Sequence, residues 1–335
     1  MIKIKENDFS DWNKFIQRNL NSTFFHTIEW KNVIEKTYGY KPKYFTLYDD
    51  NEIKAVFPLF HVKSFLTNKL LSLPFSFAAG PLYVSEKYLD KLIEYIIHSY
   101  NNFLEIRTIR YLPQKIIVKY SLHEKFNNYV SLLDITHGFE FVWNNMSKKH
   151  RNAIRKSKKH GVIVSEVSSK DELKTYFNIK NKLSARKHGI PAEPLKYYYN
   201  LWDILSPSNK VKIFYAYYKG KVIGGIILFL HKDEVLYVSG ASDEKYLYYQ
   251  PYNALIWKAI KWSCENNYKK FNFGISSVNN TGLLEFKKRW GTNNFKIPTY
   301  YYGDVSNKES LEWFKAIWSK LPISLTKIFG KYLVR

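Results

Sequence analysis

Each half of the chain runs through the same order of elements: strand, tight turn, strand, helix, strand. In the first half, strand-like runs at Tyr44 to Tyr48 and Ile53 to Val62 flank the turn Asp49-Asp50-Asn51, and a further run follows at Leu70 to Leu73. A helix then carries Leu89, Leu92, Ile93, Ile96 and Ile97 at helical spacing, and strands near Glu105 to Tyr111 and Tyr129 to Ile135 close the unit. In the second half, Phe214 to Tyr218 and Val222 to Leu230 flank Lys219-Gly220-Lys221. Strand Val235 to Ser239, a helix over Asn253 to Asn266 and strand Lys270 to Phe273 follow. Apolar runs bounded by turn residues read as strands, and apolar residues three and four apart read as one helix face. The shared order predicts an internal duplication and an α/β (α+β) fold of mixed sheets flanked by helices.

A length of 335 residues fits two domains at about 100–200 residues each. The boundaries read as 1–136 for the first unit, 137–190 for a basic helical junction and the start of the second domain, 191–305 for the second unit, and 306–335 for a tail. In the junction, Phe139, Val142, Trp143 and Met146 open a helical pattern that runs on through Lys148, Lys149, Arg151, Arg155, Lys156, Lys158 and Lys159 to Gly161. Ser169 with Glu172 three residues on is a capping-box signature, and Gly189 followed by Pro191 marks a helix end. The tail places Leu311, Phe314, Ile317, Trp318 and Leu321 on one helical face before Pro322, and then alternates Ile328, Phe329, Tyr332 and Leu333 with basic residues. Such a basic amphipathic segment, 311–335, suits packing on its own domain or peripheral contact with a membrane.

Fifty-two basic residues against 29 acidic give a formal net charge of +23. That charge attracts nucleic acid, an anionic membrane face or a phosphate-bearing substrate, and says nothing about fold. Cys264 is the only cysteine, so no internal disulfide or thiolate metal cluster forms, which fits a reduced compartment. Residues 1–10 are polar and lack the apolar core of a signal peptide, and the longest apolar run, near Val222 to Leu230, is short of the roughly 18–20 residues that span a bilayer. The sequence therefore predicts a cytoplasmic protein, with the inner face of the membrane as a further option. There is no GxSxG elbow, GxxxxGK[ST] loop or GxGxxG turn, and the histidines are scattered, so serine hydrolase, NTPase, Rossmann and zinc chemistry are not indicated and no metal site is predicted.

The segment from Phe271 to Gly291 concentrates the candidate chemistry. Strand Phe271-Asn272-Phe273 leads through Gly274 and a polar loop, Ser276 to Thr281, to a short helix whose stripe is Leu283, Phe286 and Trp290. Lys287 borders that stripe, where a partly desolvated ammonium can stabilise the oxyanion of a tetrahedral intermediate; its other reading is a snorkelling surface lysine like Lys288 beside it.

These residues carry a resemblance. Phe25-His26-Thr27-Ile28-Glu29-Trp30, Lys149 to Lys156, Ala185-Arg186-Lys187-His188-Gly189-Ile190, Gly240-Ala241-Ser242 with Pro251-Tyr252-Asn253, Phe271 to Gly274, and Leu284 to Gly291 lie in the order found in the Fem-type (FemAB/FemX) aminoacyltransferases. That family belongs to the wider GNAT-like acyltransferase superfamily. The resemblance implies two tandem GNAT-like domains, and transfer of an amino acid from a charged tRNA to an amine on a cell-wall (peptidoglycan) precursor. It assigns a catalytic or substrate-orienting role to Lys287, beside Phe286, and a precursor-phosphate contact to Arg186. Around Arg186 the family's Thr-x-x-Arg-x-x-Phe-like pattern matches in part, with Leu183 and Gly189 or Ile190 at the flanking positions. Tyr237 and Tyr252 stand where substrate-lining residues are expected, and Arg151 and Arg155 are further phosphate-binding candidates.

Two departures bear on the donor. The long coiled-coil arm of some relatives, linked with tRNA, is missing after Tyr199, and the Asp243 to Tyr252 segment, where acetyl-CoA users place a glycine-rich phosphate loop, contains no glycine. No cofactor is expected to be resident, and the donor reads as aminoacyl-tRNA or acyl-CoA. The first reading is thus an acyl- or aminoacyltransferase acting on an amino group of a cell-envelope precursor or surface glycan. Its alternatives are a CoA-dependent N-acyltransferase for a nucleotide sugar or exopolysaccharide, and a non-catalytic RNA-binding protein using the basic helix Lys148 to Lys159.

Overall fold

A computed structural model describes residues 1–64, 67–100, 103–303, 318–322 and 325–326. The amphipathic tail expected over 311–335 lies outside the described residues except at 318–322 and 325–326. By their contacts the described residues divide into two units, 1–129 with 296–303, and 130–295 with 318–322 and 325–326.

The first unit opens with β1 (Lys3–Glu6), α1 (Trp12–Arg18) and α2 (Ile28–Tyr38). Thr27 caps α2 by accepting a hydrogen bond from Trp30 N, and Gly39 ends it at φ +70°. β2 (Lys41–Asp49) and β3 (Glu52–Ser64) form an antiparallel hairpin, with Asp50 and Asn51 both left-handed in the turn, as a two-residue hairpin requires. β4 (Thr67–Leu71), β5 (Leu82–Tyr83), α3 (Glu86–Tyr100), β6 (Phe103–Arg107) and α4 (Gln114–Lys119) follow. The sheet order is β1-β2-β3-β4-β6, with β5 on β3; β4 and β6 run parallel, which the crossover through α3 makes possible. Phe45, Leu47, Phe57 and Leu59 of the hairpin pack with Leu89, Leu92, Ile93 and Ile96 of α3. β6 stops at Arg107 rather than reaching Tyr111, because Thr108 turns the chain by accepting from Arg110 N. The next strand, β7 (His123–Asp134), starts earlier than its apolar run suggested.

The second unit continues with α5 (Gly138–Asn145), α6 (Lys148–Lys159) and β8 (Ile163–Glu166). The junction is two helices where the apolar spacing read as one. Ser147 is extended (φ −60°, ψ 145°) and accepts from His150 N, so its short polar side chain starts a new helix in the middle of the pattern. Ser169 and Glu172 make the capping box at the 3-10 turn Lys170–Glu172, which leads into α7 (Leu173–Leu183). A π-helical turn, Ser184–His188, follows and ends at Gly189 with φ +59°. Then come α8 (Leu195–Leu205), β9 (Val211–Tyr218), β10 (Lys221–His231), β11 (Glu234–Ser242), α9 (Pro251–Glu265), β12 (Lys270–Ser277) and α10 (Thr281–Lys288), after which β13 (Asn293–Tyr302) returns the chain to the first unit, where Thr299 to Tyr302 pair antiparallel with β6.

β8, β9, β10 and β11 pair antiparallel in sequence, and β12 joins β11 in parallel after the α9 crossover. Lys219 and Gly220 supply the left-handed turn of the β9–β10 hairpin. Leu255, Ile256, Ala259 and Ile260 give α9 its buried stripe, packed with Ile226, Leu228, Phe271, Phe273 and Trp290. Each unit is thus a mixed sheet flanked by helices, built on the same hairpin–strand–helix–parallel-strand order.

Candidate active site

The second unit's site begins where two parallel strands part. β11 and β12 pair only through Glu234–Lys270, Val235–Phe271 and Leu236–Asn272, although the strands run on to Ser242 and Ser277. Just past the last pair, β11 bulges: on β10, Leu228 faces Tyr237 and Ile227 faces Ser239, which leaves Val238 as the extra residue. A bulge of this kind turns the following side chains and leaves a backbone group outside the ladder. On β12, Gly274 is left-handed (φ +68°), and a Cβ there would lie 3.2 Å from Tyr237 O. Asn272 fixes that kink, its Oδ1 accepting from Gly274 N at 2.8 Å and its Nδ2 donating to Glu234.

The kink presents two carbonyls to Lys287. Its Nζ donates to Gly274 O and Ile275 O, each at 3.0 Å, and the side chain is 4% exposed. Among the described residues no carboxylate pairs with it. Burial alone pulls the ammonium down from its usual range to about 7. Two of the three ammonium protons are engaged, leaving the third, or the lone pair of the neutral amine, for a ligand. The Ser276 hydroxyl, one residue beyond Ile275, is buried without a hydrogen-bond partner.

Aromatic side chains frame this lysine's helix. Tyr252, on the first turn of α9, donates to the Tyr237 hydroxyl at 2.8 Å, and its ring lies 5.6 Å from Phe286. Gly240 makes that pair possible, since a Cβ there would fall 2.1 Å from the Tyr237 hydroxyl. Burial raises both phenols, Tyr252 to about 12, so both remain protonated. Tyr176 of α7 meets Ser239 Oγ at 2.8 Å. The structure therefore gathers Lys287, Phe286, Tyr252 and Tyr237 in one place.

The three arginines make other contacts. Arg151 donates to Trp143 O and Asn144 O and so caps the end of α5. Arg155 lies 5.4 Å above the Trp143 ring and bonds to Asn152. Arg186, exposed on the π-helical turn, donates to Ser319 O at 2.5 Å. Glu285 pairs with Arg289 on the surface, and Asp243 accepts from Lys245 N at the 3-10 turn Glu244–Tyr249. Cys264 is half-buried, with its thiol raised to about 11 by burial. Among the described residues no cluster of His, Cys, Asp and Glu could hold a metal ion.

Sequence reasoning did not single out His150. Its imidazole is buried on α6, stacks on Trp290 at 4.3 Å and bonds through Nε2 to Phe286 O at 3.1 Å. A carbonyl only accepts, so the ring carries a proton on Nε2. Burial lowers this histidine, against the opposing effect of the Phe286 carbonyl and the Asn253 side chain. The signal was the spacing His150, Ile154, Ser157, a buried stripe hidden among seven lysines and arginines.

Comparisons with known proteins fall on this unit and on the whole fold. Residues 144–288 match the family model described as an acetyltransferase (GNAT) domain, which lies wholly within the second unit. No curated protein matches the chain by sequence. Among solved structures, the crystal structure of FemX superposes with a TM-score of 0.72 at 13% identity, covering 94% of this chain and 100% of that one. L-PGS from Bacillus licheniformis does so at 0.59 and 11% identity, with 98% of each chain covered. A tandem GNAT protein from the clavulanic acid biosynthesis pathway gives 0.56 at 6% identity, covering 92% of this chain and all of that one. At these identities the superpositions establish the fold: tandem GNAT-like units.

Proposed function

We propose that this chain, an acyltransferase of the GNAT type, transfers an aminoacyl or acyl group to an amino group of a phosphate-bearing cell-envelope precursor or surface glycan, with Lys287 at the reacting carbonyl. The observation that carries the reading is the buried, carboxylate-free ammonium held by two backbone carbonyls at the parting of β11 and β12. The acceptor amine attacks the donor's carbonyl carbon, and negative charge gathers on the carbonyl oxygen. The free N–H of the Lys287 ammonium donates to that oxygen in a site poor in water, where such a contact is worth far more than in solution. Collapse of the intermediate breaks the bond to the donor's sulfur or ribose oxygen, and the proton lost by the amine leaves with that thiol or hydroxyl. Tyr237, Tyr252 and Phe286 shape the wall beside the reacting groups, and Arg186, Arg151 and Arg155 are the candidates for the acceptor's phosphates. The resemblance to Fem-type enzymes and the superposition on FemX support an aminoacyl group and an envelope acceptor.

The match to an acetyltransferase domain favours a second donor, acyl-CoA, and with it an N-acyltransferase acting on a nucleotide sugar. Against it, the glycine-free segment coils into the 3-10 turn Glu244–Tyr249, and α9 opens with Pro251, which has no N–H to give a phosphate. Work at the inner face of the cytoplasmic membrane suits such an acceptor; among the described residues no helix is long and apolar enough to cross a membrane.

The test is a panel of charged tRNAs and acyl-CoAs incubated with the protein and envelope precursors, with labelled acyl transfer followed by mass spectrometry and Lys287→Ala run alongside. Transfer from charged tRNA that disappears in the variant supports the first reading. Transfer from acyl-CoA moves the protein to the second. Transfer that persists in the variant removes Lys287 from the chemistry.

A further inference from the structure

The outer face of α6, its neighbour α5 and the nearby side of α9 carry aromatic rings and lysines that the acyl-transfer reading leaves without a role. Phe139, Glu140, Trp143 and Asn144 of α5 and Trp257 of α9 line a shallow depression of about 390 Å3. The two indoles are half-buried with ring centres 5.0 Å apart, and Phe139 meets Trp257 edge-on at 6.4 Å. Cations sit on these rings: Arg155 lies 5.4 Å over Trp143, and Lys261 of α9 lies 4.7 Å over Phe139. Helical spacing puts Lys148, Arg151, Lys158 and Lys159 on the Arg155 side of α6, a helix with seven basic residues and no acidic one. The opposing charges on α5 and α9 are Glu140 and Glu265, the latter in a loose, exposed pair with Lys261 at 3.6 Å. The buried stripe of α6, His150, Ile154 and Ser157, explains why the helix folds, but not why every outward position is basic or neutral.

We propose that this α5–α6–α9 face docks on an anionic lipid bilayer. A bilayer interface takes indoles and phenyl rings at headgroup level, with their apolar bodies inward, and it draws lysines and arginines toward its phosphates. Single-stranded RNA needs open ring faces on which bases can stack. Here Arg155 already covers a face of Trp143 and Lys261 a face of Phe139, which closes those faces to a base. Charge complementarity therefore points to a membrane of net negative headgroups. The inference is independent of the Lys287 chemistry, since none of these side chains contacts that lysine's carbonyl partners.

The test is co-sedimentation of the full chain with vesicles of phosphatidylcholine alone and of phosphatidylcholine mixed with phosphatidylglycerol. Wild type is expected to bind the anionic vesicles and not the neutral ones. Reversing Lys158→Glu and Lys159→Glu, both exposed, lowers the partition coefficient about tenfold or more without moving the melting temperature. In a second measurement, brominated phosphatidylglycerol quenches tryptophan emission in wild type, and the quenched fraction falls in Trp143→Phe/Trp257→Phe. Equal binding to both vesicle types, or binding that the charge reversal leaves unchanged, overturns the proposal. So does tight binding of a single-stranded RNA oligonucleotide with no vesicle binding.

Discussion

The two units repeat one order of elements, yet they treat the junction of their parallel strands in opposite ways. In the first, β4 and β6 pair through Lys69–Phe103, Leu70–Leu104 and Leu71–Glu105, and hydrogen bonds then carry the contact onward. Ser72 N donates to Glu105 O at 2.9 Å, Arg107 N donates to Ser72 Oγ, and Ala79 N donates to Arg107 O. Glu105 is buried between Lys69 at 2.9 Å and Arg107 at 2.7 Å. Burial tends to raise its carboxyl, but the Arg107 and Lys69 charges outweigh that and hold it below the usual range. In the second unit the ladder is equally short, but β11 bulges, β12 kinks at Gly274, and the buried cation has carbonyls in place of a carboxylate. The same architecture thus seams its junction with a neutralised ion cluster in one copy, and in the other leaves an unneutralised charge where the strands part. A buried charge without a counter-ion costs stability, which is the kind of cost a fold carries at a working site.

Breaking the contrast on the second side should give the largest effect. Lys287→Ala is expected to lower kcat by about 10²–10³, the loss seen when one oxyanion donor is removed. Its effect on stability has the opposite sign. A lysine whose folded pKa is depressed to about 7 binds its proton less well in the folded state, so it costs stability below pH 7, and the cost is relieved between about pH 7 and the ordinary lysine range. Lys287→Met should therefore raise the melting temperature at pH 6, by a stabilisation on the order of 2 kcal/mol or more, and lose that advantage near pH 10.

On the first side, Glu105→Gln leaves Lys69 and Arg107 without their counter-charge and is expected to cost about 3 kcal/mol, read by denaturant unfolding, with turnover per folded molecule unchanged. Because the Glu105 carboxyl is depressed in the folded state, its contribution is present above the ordinary glutamate range and is lost as the pH falls below that range through the depressed folded value.

Smaller effects sharpen the account of the cleft wall. Gly240→Ala puts a methyl where the Tyr237 hydroxyl lies, and should cost about 1–3 kcal/mol together with a fall in turnover. Tyr237→Phe removes only the acceptor of the Tyr252 hydroxyl and should cost about 1 kcal/mol, with KM more affected than kcat.

Much of this contrast was legible before the structure. The turns Asp49-Asp50-Asn51 and Lys219-Gly220-Lys221 marked both hairpins, and the stripe Leu283, Phe286, Trp290 placed Lys287 beside the buried face of its helix. What periodicity could not show depends on contacts distant in sequence. The two carbonyls that hold Lys287 face it because Gly274 is left-handed, and the segment expected to leave the strand at Ser276 continues as β12 to Ser277. The bulge at Val238 comes from pairing with β10, which no local pattern records. The junction hid both a helix break at Ser147 and the buried His150, because lysines on the exposed face dominate its composition. Arg151 and Arg155 stand out for their charge and Arg186 for its place in the family-like segment, and neither signal reveals that backbone carbonyls and an indole ring engage them.

The most direct test of the contrast is the titration of Lys287 itself. Protein labelled with 13C at the lysine ε-carbon, compared with Lys287→Arg, identifies one resonance that can be followed from pH 5 to 11 by NMR. A midpoint near pH 7 is expected for that resonance. A Lys287 midpoint above pH 10 would contradict it, and would place in the second unit a charge as well neutralised as Glu105 is in the first.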